Sequence, residues 1–246
     1  MKDNFSLNSK QYAQYRPVYP KSLYQFIFSQ VQERNYAWDA GTGNGQVAGV
    51  LADHFSKVFA TDISENQILN AVKRDNIIYL NEAAERTTLT DNTLNLITVA
   101  QAIHWFNFSE FNKEVYRTLK PGGILAIFGY SLFRTETEAD LLIEDFYFNI
   151  LQNYWDPERQ FIEEKYKTIP FPYQEIPAPD LKMEVEWSLQ ELIGYLNTWS
   201  AVQHFIQKNN YNPVDELALS LQKIWKNKSK ILINFPLILR IGSFEN

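Results

Sequence analysis

The stretch YAWDAGTGNGQVAGVLADHF, residues 36 to 55, decides how the chain is read. A short apolar run, YAWDA (36–40), is followed by glycines at every second position, Gly41, Gly43 and Gly45, and then by a helix-like segment. Residues without side chains let a strand turn tightly into a helix and let a ligand approach the backbone. The order of strand, glycine-rich turn and helix is that of a nucleotide-cofactor loop, and the spacing discriminates among cofactors. A dinucleotide fingerprint G-x-G-x-x-G requires glycine at position 46, which is Gln46, and a P-loop requires a following G-K-[ST]. Neither is present, which disfavours a hydride-transferring dehydrogenase. Asp62, twenty-one residues after Gly41, follows a second apolar run, KVFAT (57–61), where a carboxylate can accept hydrogen bonds from ribose hydroxyls.

Outward from this stretch, short β-like runs alternate with helix-like segments. Pro20 opens YPKSLYQFIFSQVQER, whose Leu23, Phe26, Ile27 and Val31 recur at helical spacing. Strands are predicted at 36–40, 57–61, 76–80, 94–100 and 123–129, with helices between most of them, a pattern that implies a parallel sheet with right-handed crossovers. PGG (121–123) ends the predicted helix SEFNKEVYRTLK and turns the chain into the fifth strand. Beyond residue 131 the pattern changes. A helical stretch (137–153) leads to a proline-punctuated pair of strands within IPFPYQEIPAPDLKMEVEW, then to helices in SLQELIGYLNTWSAVQHFI and PVDELALSLQKIW. The last run, KILINFPLILRIG (230–242), is predicted as a strand whose Pro236 requires an edge or a bulge. The expected organisation is an N-terminal lid and cofactor-binding core (1–130), an inserted substrate cap (131–229) and a final strand returning to the core sheet (230–246).

Composition narrows the function. With 246 residues and 45% hydrophobic content the chain can bury one sizeable core. The absence of cysteine excludes disulfides, thiolate metal sites and cysteine nucleophiles, and His54, His104 and His204 are too dispersed for metal-ligand spacing, so no metal is expected. A net charge of -6 argues against a broad nucleic-acid surface. The small basic cluster KNKSK (226–230) is read as a solvated turn. The longest apolar runs are too short or too interrupted to span a bilayer, and the start MKDNFSLNSKQYAQYRP lacks a signal peptide's apolar core. The expectation is a cytoplasmic protein, monomer or homodimer, whose partner is a small molecule and neither nucleic acid nor membrane.

The succession DAGTGNG, ATDISENQI, AAERTTLTDNTLNLITVAQAIHWF and LKPGGILAI resembles the class I S-adenosylmethionine (SAM) dependent methyltransferases, with motifs in order across residues 36–129. YRPVYP, AQAIHWF and LIGYLNTWSAVQHF are similar to the branch that includes trans-aconitate methyltransferase and its uncharacterised relatives. The resemblance implies a Rossmann-like α/β fold with a seven-stranded, mostly parallel sheet ordered 3-2-1-4-5-7-6, strand 7 antiparallel. It implies SAM as cofactor and S-adenosylhomocysteine (SAH) as product. Asp39 would lie near the ammonium, Gly41, Thr42, Gly43 and Gly45 under the methionine part, and Asp62 on the ribose. Ile63, Gln67, Ala84, Glu85 and Gln101 complete the implied cofactor contacts, although the Gly-Asp or Gly-Thr frequent before the Ala-Glu pair is here Glu82-Ala83.

Methyl transfer is an in-line displacement, so the protein chiefly holds nucleophile and methyl group in line. A carboxylate acceptor needs no base, whereas a hydroxyl, amine or carbon acid does. His104, just past the fourth strand, is therefore the candidate catalytic residue, with a packed or capping histidine as the alternative. Acceptor contacts are expected from Tyr15, Arg16, Tyr19, His104 and Trp105. Tyr195, Trp199 and Gln203 recur every four residues and would share one helix face, from which they are expected to line the acceptor pocket, with an aromatic core stripe as the alternative. Arg16 could clamp a carboxylate with its planar fork. The expected reaction is O-methylation of a carboxylate or hydroxyl on a small molecule; a catalytically silent SAM- or SAH-binding sensor is the alternative.

Overall fold

Apolar runs become strands where the sequence places them, in a computed structural model that describes residues 15–226 and 228–244. β1 (Tyr36–Ala40), β2 (Lys57–Thr61) and β4 (Leu94–Ala100) match the predicted runs, while β3 (Ile77–Leu80) starts one residue late. β5 (Leu119–Tyr130) extends past the predicted run at both ends. The four neighbouring pairs in the order β3-β2-β1-β4-β5 are all parallel. β4 is buried on both faces, its Asn95 and Thr98 included, as a central strand is in a sheet covered from both sides.

Alternation along the strands sends successive side chains to opposite faces. Ala37, Leu96 and Ala126 join one core cluster, and their neighbours Trp38, Ile97 and Leu125 join the other. The first cluster receives Leu23 and Ile27 of α1 (Lys21–Ser29) and Val47 and Leu51 of α2 (Gln46–Ala52). The second receives Phe111 and Val115 of α3 (Phe108–Thr118), a helix that ends at Thr118, two residues before the predicted end.

The final strand, here β8 (Ile231–Ser243), is antiparallel to β5 and lies between it and a two-residue strand, β6 (Gln174–Glu175). A further strand, β7 (Lys182–Trp187), pairs with the first half of β8, so the sheet has eight strands in the order 3-2-1-4-5-8-6 with β7 to the side. Pro236 is the last β8 residue paired with β7, and pairing with β5 begins at Leu237, so the residue that cannot donate marks the change of partner. Residues 131–229 thus contribute strands of their own alongside β8. In the same segment, the helical stretch predicted for 137–153 is α4 (Ala139–Asp145) followed by a π-turn (Phe146–Ile150) and a 3-10 turn (Gln152–Tyr154), with α5 (Arg159–Glu163) beyond.

One predicted helix is two. Residues 189–206 form α6 (Leu189–Leu196) and α7 (Ser200–Asn209), and Trp199 between them is extended at φ -72°, ψ 134°. The Asn197 amide donates to the Ile193 carbonyl (2.8 Å) and the Thr198 hydroxyl to that of Tyr195 (2.6 Å). The Thr198 hydroxyl and N–H (2.9 Å) together take the Tyr195 carbonyl that the Trp199 N–H would use if the helix continued, a competition of side chain with backbone. The fold closes with α8 (Val214–Trp225). Among the described residues no helix is long and apolar enough to cross a membrane.

Gly45 sets the approach of α2 to the sheet. Its φ is +75°, and a Cβ there would lie 2.2 Å from the Tyr79 hydroxyl, which itself donates to the Val72 carbonyl at 2.6 Å. Gly45→Ala is expected to lower stability by about 1–3 kcal/mol, from the left-handed backbone and the clash together. Tyr79→Phe in the same chain should recover part of that loss. Urea unfolding of both variants checks this, and additive effects would remove the contact from the account.

Candidate active site

The parallel strands reverse their direction of progression between β1 and β4, and ligands in open α/β sheets bind at such a point outside the carboxyl ends of the strands. A cavity of about 130 Å³ lies there. Its floor is built by Asp39, 1% exposed at the end of β1. The Asp39 carboxylate accepts hydrogen bonds from the Thr42 hydroxyl (2.6 Å), the Thr98 hydroxyl on β4 (2.8 Å) and the Ala48 N–H in the first turn of α2 (3.2 Å). The N-cap of that helix is Gly45, which has no side chain to cap it, so a carboxylate reaching across from β1 satisfies one of its orphan donors. Burial nevertheless outweighs these three bonds and pushes the Asp39 carboxyl up to about 6.

Asp62, just past β2, holds the other side of the loop. Its carboxylate accepts from the Gly43 N–H and the Ser64 N–H, each at 2.8 Å. The Thr42 N–H donates to the Thr61 carbonyl at 2.9 Å, continuing the β1–β2 contact into the loop. Gly43 has φ +55°, and a Cβ built on it meets nothing within 4 Å. It lines the cavity, so any side chain at this position would project into the space that a ligand needs.

Eight of the eleven predicted cofactor residues line this cavity: Asp39, Gly41, Thr42, Gly43, Asp62, Ile63, Gln67 and Gln101. The other three do not line it. Gly45 packs against Tyr79. Ala84 is buried in the second core cluster, and the Glu85 carboxylate accepts from the Asn107 N–H (2.9 Å) at the start of α3. Gln101 has a left-handed backbone (φ +53°), and its amide both accepts from the Tyr130 N–H (2.9 Å) and donates to the Tyr130 carbonyl (3.2 Å). This pairing ties the end of β4 to the end of β5.

Arg16, Tyr19 and Trp105, predicted to contact the acceptor, also line the cavity. Arg16 donates to the Tyr130 hydroxyl (3.1 Å) and to the Thr198 carbonyl (3.3 Å), and its guanidinium carbon lies 5.4 Å from the Tyr195 ring centre. Tyr19 packs edge-on against Phe128 with ring centres 4.8 Å apart. Residues 1–14 of the predicted lid lie outside the described residues.

A second cavity, of about 40 Å³, shares Arg16, Gln101 and Trp105 with the first. His104 and Trp199 line it, so the structure brings these two predicted residues together. The remaining three acceptor candidates are placed elsewhere. Tyr15 lies against α6, where a Cβ on Gly194 would come within 2.5 Å of its ring. Tyr195 is 3% exposed in the aromatic core with Phe133 and Phe235. Gln203 donates to the Asn197 carbonyl (2.8 Å), bridging the break between α6 and α7. With that break Tyr195, Trp199 and Gln203 do not share the face of one helix.

Sequence reasoning missed Tyr130, Phe106 and Ser64 in the first cavity and Arg159 and Trp155 in the second. Tyr130 and Arg159 carry no local signal, because each enters its cavity from a segment distant in sequence. Ser64 was within reach, since Ser-x-x-Gln before an apolar pair marks an N-cap, and its hydroxyl does accept from the Gln67 N–H (3.3 Å). Among the described residues no group of three or more His, Cys, Asp and Glu is placed to hold a metal ion.

His104 is 5% exposed on a 3-10 turn (Ile103–Trp105). Burial, and then the charges of Arg159 and Arg16, bring its imidazole down from 6.5 to about 3. It is neutral at every pH at which the protein would be assayed. In the unfolded chain the ring binds a proton below about 6.5 while the native state does not, so stability falls as pH drops from about 6.5 toward 3. From pH 7 to pH 5 the wild type is expected to lose about 2 kcal/mol that His104→Asn does not lose. Urea unfolding at the two pH values measures this, and parallel losses would contradict it.

The comparisons with known proteins agree with this geometry. The methyltransferase-domain family profile matches residues 38–127. A protein of Dictyostelium discoideum named a methyltransferase is 35% identical over 99% of this chain and 95% of its own. A solved structure of a protein of Anaeromyxobacter dehalogenans named a type II methyltransferase superposes with a TM-score of 0.86 at 34% identity, covering 93% of this chain and 98% of its own. The malonyl-[acyl-carrier protein] O-methyltransferase of a Marinomonas species is 28% identical over 56% of this chain and 51% of its own. The chain belongs to the class I S-adenosylmethionine-dependent methyltransferases.

Proposed function

We propose that the protein transfers a methyl group from SAM to an oxygen atom, carboxylate or hydroxyl, of a small molecule. The observation that carries this reading is the cradle at the ends of β1, β2 and β4, where Gly43 leaves open space beside a carboxylate, Asp62, anchored to the loop. The residues suit the cofactor. Asp62 offers an acceptor for ribose hydroxyls, Ile63 and Phe106 offer apolar surface, and Asp39 offers negative charge toward an ammonium. When bound, the cofactor supplies an electrophilic methyl group on a sulfonium sulfur. What the chain supplies is orientation and exclusion of water.

His104 enters this account as a hydrogen-bonding group. With its basicity depressed to about 3, the ring is a poor acceptor for an acceptor's proton at neutral pH, which favours an oxygen that is already ionised. That the Marinomonas relative is named an O-methyltransferase fits the same choice. The second cavity, sharing three residues with the first, supports turnover over a silent cofactor-binding role, because a sensor has no need of an adjoining acceptor site.

Isothermal titration with SAH tests the cradle. Asp62→Ala should weaken binding by about 1.5–3 kcal/mol, the scale of hydrogen bonds to a charged group, in a chain that remains folded. Gly43→Val should abolish it, since a β-branched side chain would fill the open space and resist a φ of +55°. Wild-type affinity in either folded variant would remove that residue from the cofactor site. Methyl transfer to small carboxylic acids and phenols then distinguishes the two acceptor oxygens.

A further inference from the structure

The second cavity has a composition that the methyltransfer reaction as such does not demand. Three of the six tryptophans of the chain, Trp105, Trp155 and Trp199, line it together with Ile162. Its basic side chains are Arg16 from the N-terminal segment and Arg159 from α5; Asp156 lines it as well. Arg159 is fixed in place: its Nε donates to the Tyr147 hydroxyl (2.7 Å), and its guanidinium carbon stacks 4.9 Å from the Trp155 ring centre and 5.3 Å from that of Tyr147. The Tyr147 hydroxyl in turn donates to Glu163 Oε1 (2.9 Å), which leaves its oxygen lone pairs for Arg159. Among the described residues no carboxylate lies within 4.0 Å of the Arg159 guanidinium. A pre-oriented guanidinium half-buried among aromatic rings is a fork for a planar anion.

His104 completes the arrangement. Its Nδ1 is 3.4 Å from the Tyr166 hydroxyl, and with that nitrogen accepting, Nε2 carries the ring hydrogen and is a donor. Arg159 and His104 bring donors to this cavity and three indoles and Ile162 bring apolar surface, a composition that suits a ligand with both an anionic and an apolar part. Resting on the cofactor reading above, we propose that the second cavity is the acceptor subsite, that it selects a monocarboxylic acid with an apolar body, and that Arg159 is the residue that reads the carboxylate. In the transfer, a carboxylate oxygen forms the new O–CH3 bond as the S–CH3 bond breaks. The bond pair stays on sulfur, and the methyl ester and SAH leave with no proton to move.

The three tryptophans make the subsite observable without turnover. Hexanoate and its neutral isostere hexanamide are titrated into the SAH-loaded protein and followed by tryptophan fluorescence, with calorimetry as a second readout. Hexanoate is expected to bind at least tenfold more tightly than hexanamide. Arg159→Gln should abolish that preference and Arg159→Lys keep part of it, while SAH affinity stays within twofold of wild type in both, which also shows that the variants are folded. Equal binding of acid and amide, a preference that survives Arg159→Gln, or no binding of either probe would overturn the proposal. Failure of the wild type to bind SAH would instead overturn the cofactor reading, and the same titration on the free protein would then decide the anion subsite by the same criteria.

Discussion

Asp39 is the interaction on which the rest of the site depends. A carboxylate that is 1% exposed would ordinarily cost several kcal/mol to bury, and it is tolerated here because three elements donate to it. Thr42 is in the loop, Ala48 at the start of α2 and Thr98 on β4, so one side chain fixes the three pieces whose relative placement makes the cradle. The compensation is incomplete, as the upward shift of its carboxyl to about 6 shows. A group held at that cost is poised to gain from a positive charge arriving nearby, which is what the ammonium of the cofactor would bring.

From this anchor the chemistry is organised by reach. Asp62 closes the loop from the β2 side, and the Gln101–Tyr130 amide pairing carries the edge of the sheet from β4 to β5. Tyr130 then presents its hydroxyl to Arg16, which also donates to the Thr198 carbonyl at the break between α6 and α7. The N-terminal segment is therefore bound to the sheet and to residues 131–229 at once. The two cavities meet at Arg16, Gln101 and Trp105.

The legible part of this structure was local. β1, β2 and β4 could be bounded to the residue because each is a short, mostly apolar run bounded by polar or glycine residues. The glycine loop was legible because a tight strand-to-helix turn requires such residues, and Asp62 anchors that loop through the Gly43 N–H. The acceptor side was less so. Tyr195, Trp199 and Gln203 fit a helical period, but Asn197 and Thr198 end the first helix by bonding back to carbonyls of its last turn, and no periodicity reports that competition. Arg159 lies 55 positions from His104 in the chain and shares a cavity with it because α5 packs on the 3-10 turn that follows β4.

The central claim is that the glycine loop and the residues after β2 and β4 form the cofactor cradle, and amide hydrogen exchange with and without SAH tests it most directly. The account predicts added protection concentrated in residues 41–48, 62–67 and 101–106, the segments that line the first cavity. Protection confined to other segments, or an exchange pattern unchanged at saturating SAH, would contradict it.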